Sequence, residues 1–270
     1  MDSSRYACLI VYTNIKLNLK VKNMMNLHKQ LCAHFLLLFL IGNGFIIACS
    51  GDSDQMITND RDDLQNTLTE AERAEGWMLM FDGETSEGWR GYNSNEFPEG
   101  WVVDDGTLHC TGKGGDVIYD QKYLDFHLKI DWMISEGGNS GIFFLAQEIE
   151  GKPIWHTAPE YQLLDNDAHP DLNPDQYAPA LYDLVPPSVQ NTRPAGEWNR
   201  SEIIVKDGHL TQRQNGEDVV QIRLDTPEWK AMVDESKFPV EIFGILKPGY
   251  IGVQDHGDDV WFRNIKIREL

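Results

Sequence analysis

A succession of short alternating segments constrains the fold of this chain more than any other sequence feature. The clearest covers residues 124–134, where every second residue is apolar and most residues between are charged. This period of two is typical of a strand with one face buried. Asp207-Gly208 and Asn215-Gly216 separate further segments and are typical of two-residue hairpin turns. Roughly ten or more short strands with little helix predict an all-β domain of antiparallel sheets.

Two short helices interrupt this pattern. Thr69 and Glu72 have the spacing of a capping box, which predicts a helix over residues 70–75. Thr226 followed by Pro227 predicts the start of a second helix late in the chain.

Residues 1–48 have the features of a signal peptide. A basic residue precedes a short apolar run, and Ala48 comes just before Cys49. We predict cleavage before Cys49 and lipidation of that cysteine, with translation starting at Met24 or Met25. An ordinary signal peptide with a cysteine at that place by chance is the alternative. The apolar run is too short for a transmembrane helix.

The remainder is predicted to be a tether and one domain. Residues 49–66 are polar and acidic, as expected of a lipidated tether, and residues 67–270 have the length of a single domain. The lipid on Cys49 would place the protein in the cell envelope, attached to the outer membrane and either periplasmic or surface-exposed.

Charge and cysteine content exclude several classes of partner and fold. The formal net charge is −20, and it becomes −24 without residues 1–48, which carry five basic residues and one acidic residue. A domain this acidic repels the phosphate backbone of nucleic acids, so nucleic acid is not an expected partner. Neutral sugars are compatible with the negative charge. Beyond residue 48 only Cys49 and Cys110 remain, which excludes a disulfide framework.

The segment that begins at Glu160 carries polar groups where a covered strand would carry apolar ones. A period of two places Glu160 and Gln162 on one face and Tyr161 on the other. Asp165 follows Glu160 by an odd number of residues, so it joins the polar face only through a bulge or at the end of the strand. A proline-rich stretch of roughly thirty residues follows, with enough aromatic residues to predict an ordered loop. We interpret the strand and loop as the wall and rim of a small-molecule site, which favours a sandwich over a closed barrel.

Three groups of polar residues are candidates for chemistry. They are Glu160, Gln162, Asp165 and His169; Gln254 and His256; and Arg263 and Asn264. Taken singly, each also has an ordinary structural interpretation, as an exposed carboxylate, a loop histidine, a turn or a buried ion pair. Their coincidence in one all-β domain favours function.

The tryptophans divide into two sets. Trp132 belongs to the core by its alternation, and Trp77, Trp101 and Trp229 are assigned to the core as well. Trp155 and Trp198 lie beside the polar loop and are predicted to stack on a sugar ring, because an indole offers apolar contact to its C–H face.

Several longer motifs occur in a fixed order from about residue 70 to the end of the chain. They include Glu136-Gly-Gly-Asn-Ser-Gly-Ile-Phe-Phe144, Glu160-Tyr-Gln-Leu-Leu-Asp-Asn166, Pro194-Ala-Gly-Glu-Trp-Asn199 and Ile251-Gly-Val-Gln-Asp-His-Gly257. In these motifs the chain resembles the 3-keto-disaccharide hydrolase domain family. Gln212-Arg213 departs from the His-Trp that the family often has there, which puts substrate contacts on that strand in doubt.

The resemblance implies a fold and a reaction. The fold is a concanavalin A-like jelly-roll sandwich of two antiparallel sheets with one or two short helices. The reaction cleaves glycosides or disaccharides already oxidised at C3 by a partner glycoside 3-dehydrogenase, through β-elimination between C1 and C2, net hydrolysis, or both. A 3-keto group acidifies the C2 proton, so the reaction needs a base, an electrophile near the 3-oxygen and an acid for the leaving group.

Within this scheme each candidate residue has an expected role. Glu160 or His169 supplies the base, or both hold a divalent metal cation; no organic cofactor is expected. His256 transfers a proton, and Arg263 or a bound cation stabilises the enolate. The residues expected to contact substrate are Gln162, Asp165, Tyr182, Trp155, Trp198, Asn199 and Gln254.

Two other functions remain open from the sequence. Glu160, Gln162 and Asp165 repeat the E-x-D-x-x-E spacing of laminarinase-type glycoside hydrolases, although Gln162 replaces the middle carboxylate that tunes the other two. A non-catalytic glycan-binding lipoprotein is the second alternative, and it would depend on Trp155 or Trp198.

Overall fold

The computed structural model describes residues 65–270. The predicted signal peptide, the predicted lipidation site at Cys49 and nearly all of the predicted tether lie outside these residues. The strands are β1 (Met78–Leu79), β2 (Trp89–Gly91), β3 (Trp101–Asp104), β4 (Thr107–Cys110), β5 (Val117–Tyr123), β6 (Phe126–Ile134), β7 (Asn139–Ala146), β8 (Glu160–Leu164), β9 (Asn199–Lys206), β10 (His209–Gln214), β11 (Glu217–Arg223), β12 (Gly249–Val253) and β13 (Val260–Glu269). The helices are α1 (Glu70–Ala74), α2 (Pro227–Glu235) and 3-10 turns at Ile154–His156, Asn166–Ala168 and Pro174–Gln176.

The strands form two antiparallel sheets. The large sheet has the order β11-β10-β9-β6-β13-β4-β3, and β1 also pairs with β13. The small sheet has the order β2-β5-β12-β7-β8. Sequence neighbours are frequently not sheet neighbours, as in a jelly roll, and the fold is the expected concanavalin A-like sandwich.

The core lies between the two sheets. It contains fully buried aromatic side chains from both, including Trp132 and Phe262 of the large sheet and Phe144 and Tyr161 of the small sheet. A smaller apolar cluster, with Phe143 and Ile154 at its centre, covers part of the small sheet's outer face. The rest of that face is free to form a site.

Several local signals act as the sequence predicts. The Thr69 hydroxyl accepts a hydrogen bond from Glu72 N–H, and the Glu72 carboxylate accepts one from Thr69 N–H, which completes the capping box of α1. The Thr226 hydroxyl caps α2 by accepting a hydrogen bond from Trp229 N–H. Asp207 and Asn215 have φ of +48° and +50°, and each precedes a glycine, as a two-residue hairpin turn requires.

Two further features bear on sequence-based expectations. β2 has only three residues, too few for a visible period, and was not predicted. Cys110 is a free, buried thiol, and none of the helices within residues 65–270 has the length and apolar character needed to cross a membrane.

Candidate active site

β8 presents two different faces, as its period of two predicts. Tyr161 and Leu163 point into the core, where the Tyr161 hydroxyl donates to Gln214 Oε1 of the large sheet at 2.6 Å. Glu160 and Gln162 point the other way and line a cavity on the outer face of the small sheet. The polar face of this strand therefore belongs to a recess, and the apolar face holds the two sheets together.

We call this recess the Glu160 cavity. Its volume is about 260 Å³, and it is lined by Asn139, Trp155, Glu160, Gln162, Tyr182, Lys237, Phe238, Gln254 and His256. The residues come from β7, β8, the end of β12 and three loops, so the folded sheet is required to assemble them. Six of them (Trp155, Glu160, Gln162, Tyr182, Gln254 and His256) are among the candidates from the sequence.

The Glu160 carboxyl group is buried beneath the cavity. Its side chain is 7% exposed, and within residues 65–270 it has no hydrogen-bond partner. Burial raises the pKa of Glu160 to about 8; the negative charge of Asp116 raises it further, while the positive charge of Lys237 opposes the shift. A carboxylate formed here is a stronger base than one in water, because it lacks the solvation that normally stabilises its charge.

Strand pairing in the small sheet places Asp116 on the same outer face as Glu160. Val117 pairs with Val253, so Asp116 stands opposite Gln254, whose N–H donates to Gly141 of β7 at 2.9 Å. Gly141 in turn pairs with Gln162 of β8. Burial raises the pKa of Asp116 to about 6, although the N–H of Asp255 acts against this by donating to its carboxylate. The negative charge of Asp116 thus acts on Glu160 across the small sheet.

Gly141 leaves the space that the Glu160 side chain occupies. A Cβ atom at position 141 would lie 2.7 Å from both Cγ and Cδ of Glu160. No side chain larger than hydrogen is compatible with the present position of Glu160, so this glycine fixes where the carboxyl group sits.

Three amide oxygens around the cavity are buried and have no hydrogen-bond partner. They are Asn139 Oδ1, Gln162 Oε1 and Gln254 Oε1. Gln162 Nε2 donates to Gln176 O at 3.1 Å, which fixes the oxygen end of that amide towards the cavity. Buried oxygens without partners are costly, and hydroxyl groups of a bound molecule would supply the missing donors.

Lys237 supplies a positive charge on the opposite wall. Its Nζ donates to the Tyr182 hydroxyl at 3.1 Å, lies 3.5 Å from Asp183 and stands 4.4 Å above the centre of the Tyr182 ring. Burial alone would lower the pKa of Lys237, but the contacts with Tyr182 and Asp183 outweigh it and raise the pKa. Tyr182 is held in turn by its N–H, which donates to Glu160 O.

Trp155 and His256 form the rim of the cavity. The Trp155 side chain is 37% exposed, and its ring stands edge-on to His156 with centroids 4.0 Å apart. His256 is exposed at the end of β12 in a turn fixed by Asp255, whose carboxylate accepts from Gly114 N–H at 2.6 Å. Both side chains are thus available to a ligand that enters from solvent.

Asp165 and His169 do not line the Glu160 cavity. Asp165 Oδ2 accepts from Gly137 N–H at 2.8 Å, and His169 Nε2 lies 3.1 Å from Gly137 O. Both side chains hold the glycine turn before β7. The expectation that His169 shares the site of Glu160 is therefore corrected, because the odd step after β8 turns this segment away.

Trp198, Asn199 and Arg263 lie in a different place. They line a groove on the large sheet, among residues that face away from the core. β13 has a bulge at Arg263 and Asn264, so both lie between the inward-facing Phe262 and Ile265. Arg263 therefore lies outside the Glu160 cavity, where it was expected to stabilise charge, and Lys237 lines that cavity instead.

Sequence reasoning also missed Lys237, Asn139 and Asp116 as site residues. Lys237 follows α2 as a single lysine in a loop, and nothing in its sequence surroundings indicates a site. Asn139 was visible only as part of a longer motif. Asp116 reaches the site through pairing between strands that are distant in sequence, which no local pattern reveals.

The donor set for a metal at Glu160 and His169 is incomplete. Within the part of the chain that the structure describes, no group of three or more His, Cys, Asp or Glu side chains is placed to bind one ion. His169 Nε2 lies instead against the backbone oxygen of Gly137. These residues do not fit the expected metal site, and the divalent metal stays a prediction.

Comparison with known proteins identifies the family of this chain. Residues 76–268 match the model of the 3-keto-alpha-glucoside-1,2-lyase-like domain. The chain belongs to this family. A relative from Bacteroides thetaiotaomicron, named 3-keto-disaccharide hydrolase, is 37% identical over 230 residues, which cover 73% of this chain and 79% of the relative.

Solved structures of similar proteins agree with the family's fold. A protein of Parabacteroides distasonis that bears the name of a glycosyl hydrolase is 34% identical, with a TM-score of 0.73 over 77% of this chain and 100% of that one. A second protein of that organism is 26% identical, with a TM-score of 0.56 over 72% of this chain and 99% of that one. The match to the lyase-like domain family spans β1 to nearly the end of β13, and so includes the whole Glu160 cavity.

Proposed function

We propose that this domain cleaves glycosides whose sugar already carries a ketone at C3. The observation that carries the proposal is the Glu160 carboxyl group, buried in a cavity with a pKa raised to about 8 and faced by the ammonium group of Lys237. A ketone-activated C2 proton needs a base of this kind and a nearby positive charge for the enolate. The family and the name of the 37% identical relative support the substrate class.

The first step is removal of the C2 proton by the Glu160 carboxylate. The electron pair of the C–H bond moves into the enolate of C2, C3 and the 3-oxygen, and Lys237 stabilises the negative charge. The enolate then expels the C1 substituent with the electron pair of the C1–O bond, and His256 at the rim gives the leaving oxygen a proton. The product has a C1–C2 double bond next to the ketone.

Water completes net hydrolysis by adding to this double bond. Its hydroxyl group bonds to C1, its remaining proton passes to the His256 ring that lost one in the elimination, and protonated Glu160 returns a proton to C2. Release before water adds gives the lyase outcome, so one site serves both reactions. Asn139, Gln162 and Gln254 accept hydrogen bonds from sugar hydroxyls through their free amide oxygens, and Trp155 contacts the ring.

Two observations disfavour the alternative functions. Asp165 does not enter the cavity, so the paired carboxylates of a laminarinase-type hydrolase are missing at the spacing that suggested them. A simple glycan-binding site has no need of a buried carboxyl group without a hydrogen-bond partner, because such a group costs stability.

The test compares matched substrates. Purified protein is incubated with a 3-keto glucoside and with its unoxidised counterpart, each with and without chelator, and products are identified by mass spectrometry. We expect cleavage of the 3-keto compound alone. Cleavage of the unoxidised glucoside would favour the laminarinase-type reaction, and binding without product would favour a glycan-binding protein. Loss of turnover with chelator would support a divalent cation.

We also propose that a lipid on Cys49 holds the protein at the outer membrane and that a glycoside 3-dehydrogenase supplies its substrate. The support is the order of basic, apolar and small residues before Cys49. A Cys49→Ser variant should move from the membrane fraction to the soluble fraction of cells. If it remains in the membrane fraction, the lipid anchor is wrong.

A further inference from the structure

A second recess lies on the outer face of the large sheet. We call it the Arg263 groove; its volume is about 510 Å³, and its lining includes Asp131, Arg193, Trp198, Arg200, Glu202 and Arg263. In the backbone register, Arg263 of β13 lies opposite Asp131 of β6, and Asp131 lies opposite Arg200 of β9. Their inward-facing neighbours belong to the core, so this groove and the Glu160 cavity open on opposite sides of the sandwich.

The carboxylates in the groove already have partners. Asp131 accepts two hydrogen bonds from Arg200, at 2.7 and 3.1 Å, and a third from Asn264 at 2.7 Å. Glu202 is bound by His127 at 2.6 Å. Among residues 65–270, no carboxylate forms an ion pair with either Arg193 or Arg263, and the groove therefore carries uncompensated positive charge on a chain of net charge −20.

Arg263 is the least satisfied group of the groove. Its guanidinium lies 3.7 Å above the centre of the Trp198 ring, which fixes its plane. Its Nε is buried and has no hydrogen-bond partner. Arg193 points to the same place, because its Nη1 donates to Trp198 O at 2.9 Å and its N–H to Asn199 Oδ1 at 2.8 Å. A preorganised guanidinium without an acceptor matches an oxyanion that presents two oxygens to parallel hydrogen bonds.

We propose that the Arg263 groove binds an acidic sugar through a singly charged carboxylate or sulfate ester. The anion would accept hydrogen bonds from Arg263 and Arg193, and Trp198 would contact the sugar ring. That the anionic group belongs to a sugar rests on the proposed function, whereas the binding of a singly charged anion in the groove does not. Because the groove is on the side opposite Glu160, it would hold the protein on an acidic glycan without occupying the site of cleavage.

Isothermal titration calorimetry on the purified protein tests this assignment. The probes are glucuronate, glucose 6-sulfate and neutral methyl glucoside, and the variants are Arg263→Gln and Arg193→Gln. We expect the two acidic sugars to bind at least about tenfold more tightly than methyl glucoside. We also expect each substitution to weaken them by about tenfold or more, because a charge-assisted hydrogen bond is lost. The better of the two acidic sugars identifies the anion.

The matched control is Arg223→Gln, which removes an exposed arginine of β11 in the same sheet. It should leave affinity within about twofold. Arg263→Lys keeps the charge but loses the planar fork, and should bind more weakly than the parent chain while retaining its melting temperature. Equal binding of methyl glucoside and glucuronate would overturn the proposal. So would unchanged affinity in folded Arg263→Gln, or equal losses in Arg223→Gln.

Discussion

Replacing Gly141 with alanine should displace the Glu160 carboxyl group while the sandwich remains folded. The new Cβ would overlap Oε1 of Glu160 and lie 2.7 Å from its Cγ and Cδ, whereas ordinary contact begins at 3.4 Å, so the side chain must retreat by more than about 0.7 Å. Moving a reacting group by about 1 Å can cost roughly 100-fold in rate. We therefore expect kcat on a 3-keto glycoside to fall by about 10- to 100-fold.

The same substitution has a small expected effect on stability. Gly141 does not have positive φ, so alanine can adopt its backbone conformation. Alanine also restricts the unfolded chain, which stabilises a protein by about 0.4–1 kcal/mol at compatible positions and offsets part of the crowding against Glu160. Steady-state kinetics and thermal unfolding of the same preparation separate loss of activity from loss of fold.

A double variant supplies the control. In a Glu160→Ala background the carboxyl group is gone, so Gly141→Ala should add no further loss of turnover. The reasoning is refuted if folded Gly141→Ala retains the parent kcat. It is also refuted if the double variant is clearly slower than Glu160→Ala alone.

Four further predictions concern the charges in and around the Glu160 cavity. Because the base must be ionised, kcat/KM should rise with pH through about 8, and Glu160→Gln should remove this rise with at least about a 100-fold loss at pH 8. Since the folded state binds the Glu160 proton more tightly than the unfolded state, its ionisation should lower stability as pH rises between 4.5 and about 8; urea unfolding of the Glu160→Gln variant should lack this contribution. Lys237→Met should lower kcat by about 10- to 100-fold, while Lys230→Met on the exposed side of α2 should not; equal effects would contradict the role of Lys237. Asp116→Asn removes a like charge and should shift the midpoint of the pH–rate profile to lower pH; an unchanged midpoint would show that Asp116 does not act on Glu160.

Local sequence signals account for much of the fold and for part of the site. The Thr69 capping box, the Asp207 and Asn215 turns and the two faces of β8 depend on residues within a few positions of one another. Such interactions form in nearly the same way in any compact context, so the sequence predicts them well. Glu160 and Gln162 were placed on one face by this reasoning, and the structure has them in one cavity.

The remaining site residues depend on pairing that no local pattern encodes. Asp116 lies on the same face of the small sheet as Glu160 because three strand pairings join β5 to β8. Arg263 seemed to lie in an uninterrupted strand, but the bulge with Asn264 at φ +53° brings two successive residues to the outer face. Lys237 enters the cavity from a loop that follows a helix. The sequence identifies these residues as polar but does not specify on which outer face of the sandwich they lie.

The position of β13 has a consequence for how this domain is made. This strand lies inside the large sheet, with β6 along one side and β4 and β1 each paired with a different part of its other side. Contacts between such distant parts of a chain form slowly. During synthesis the gap between β6 and β4 stays unfilled until residues 260–269 have emerged, so the large sheet is completed late.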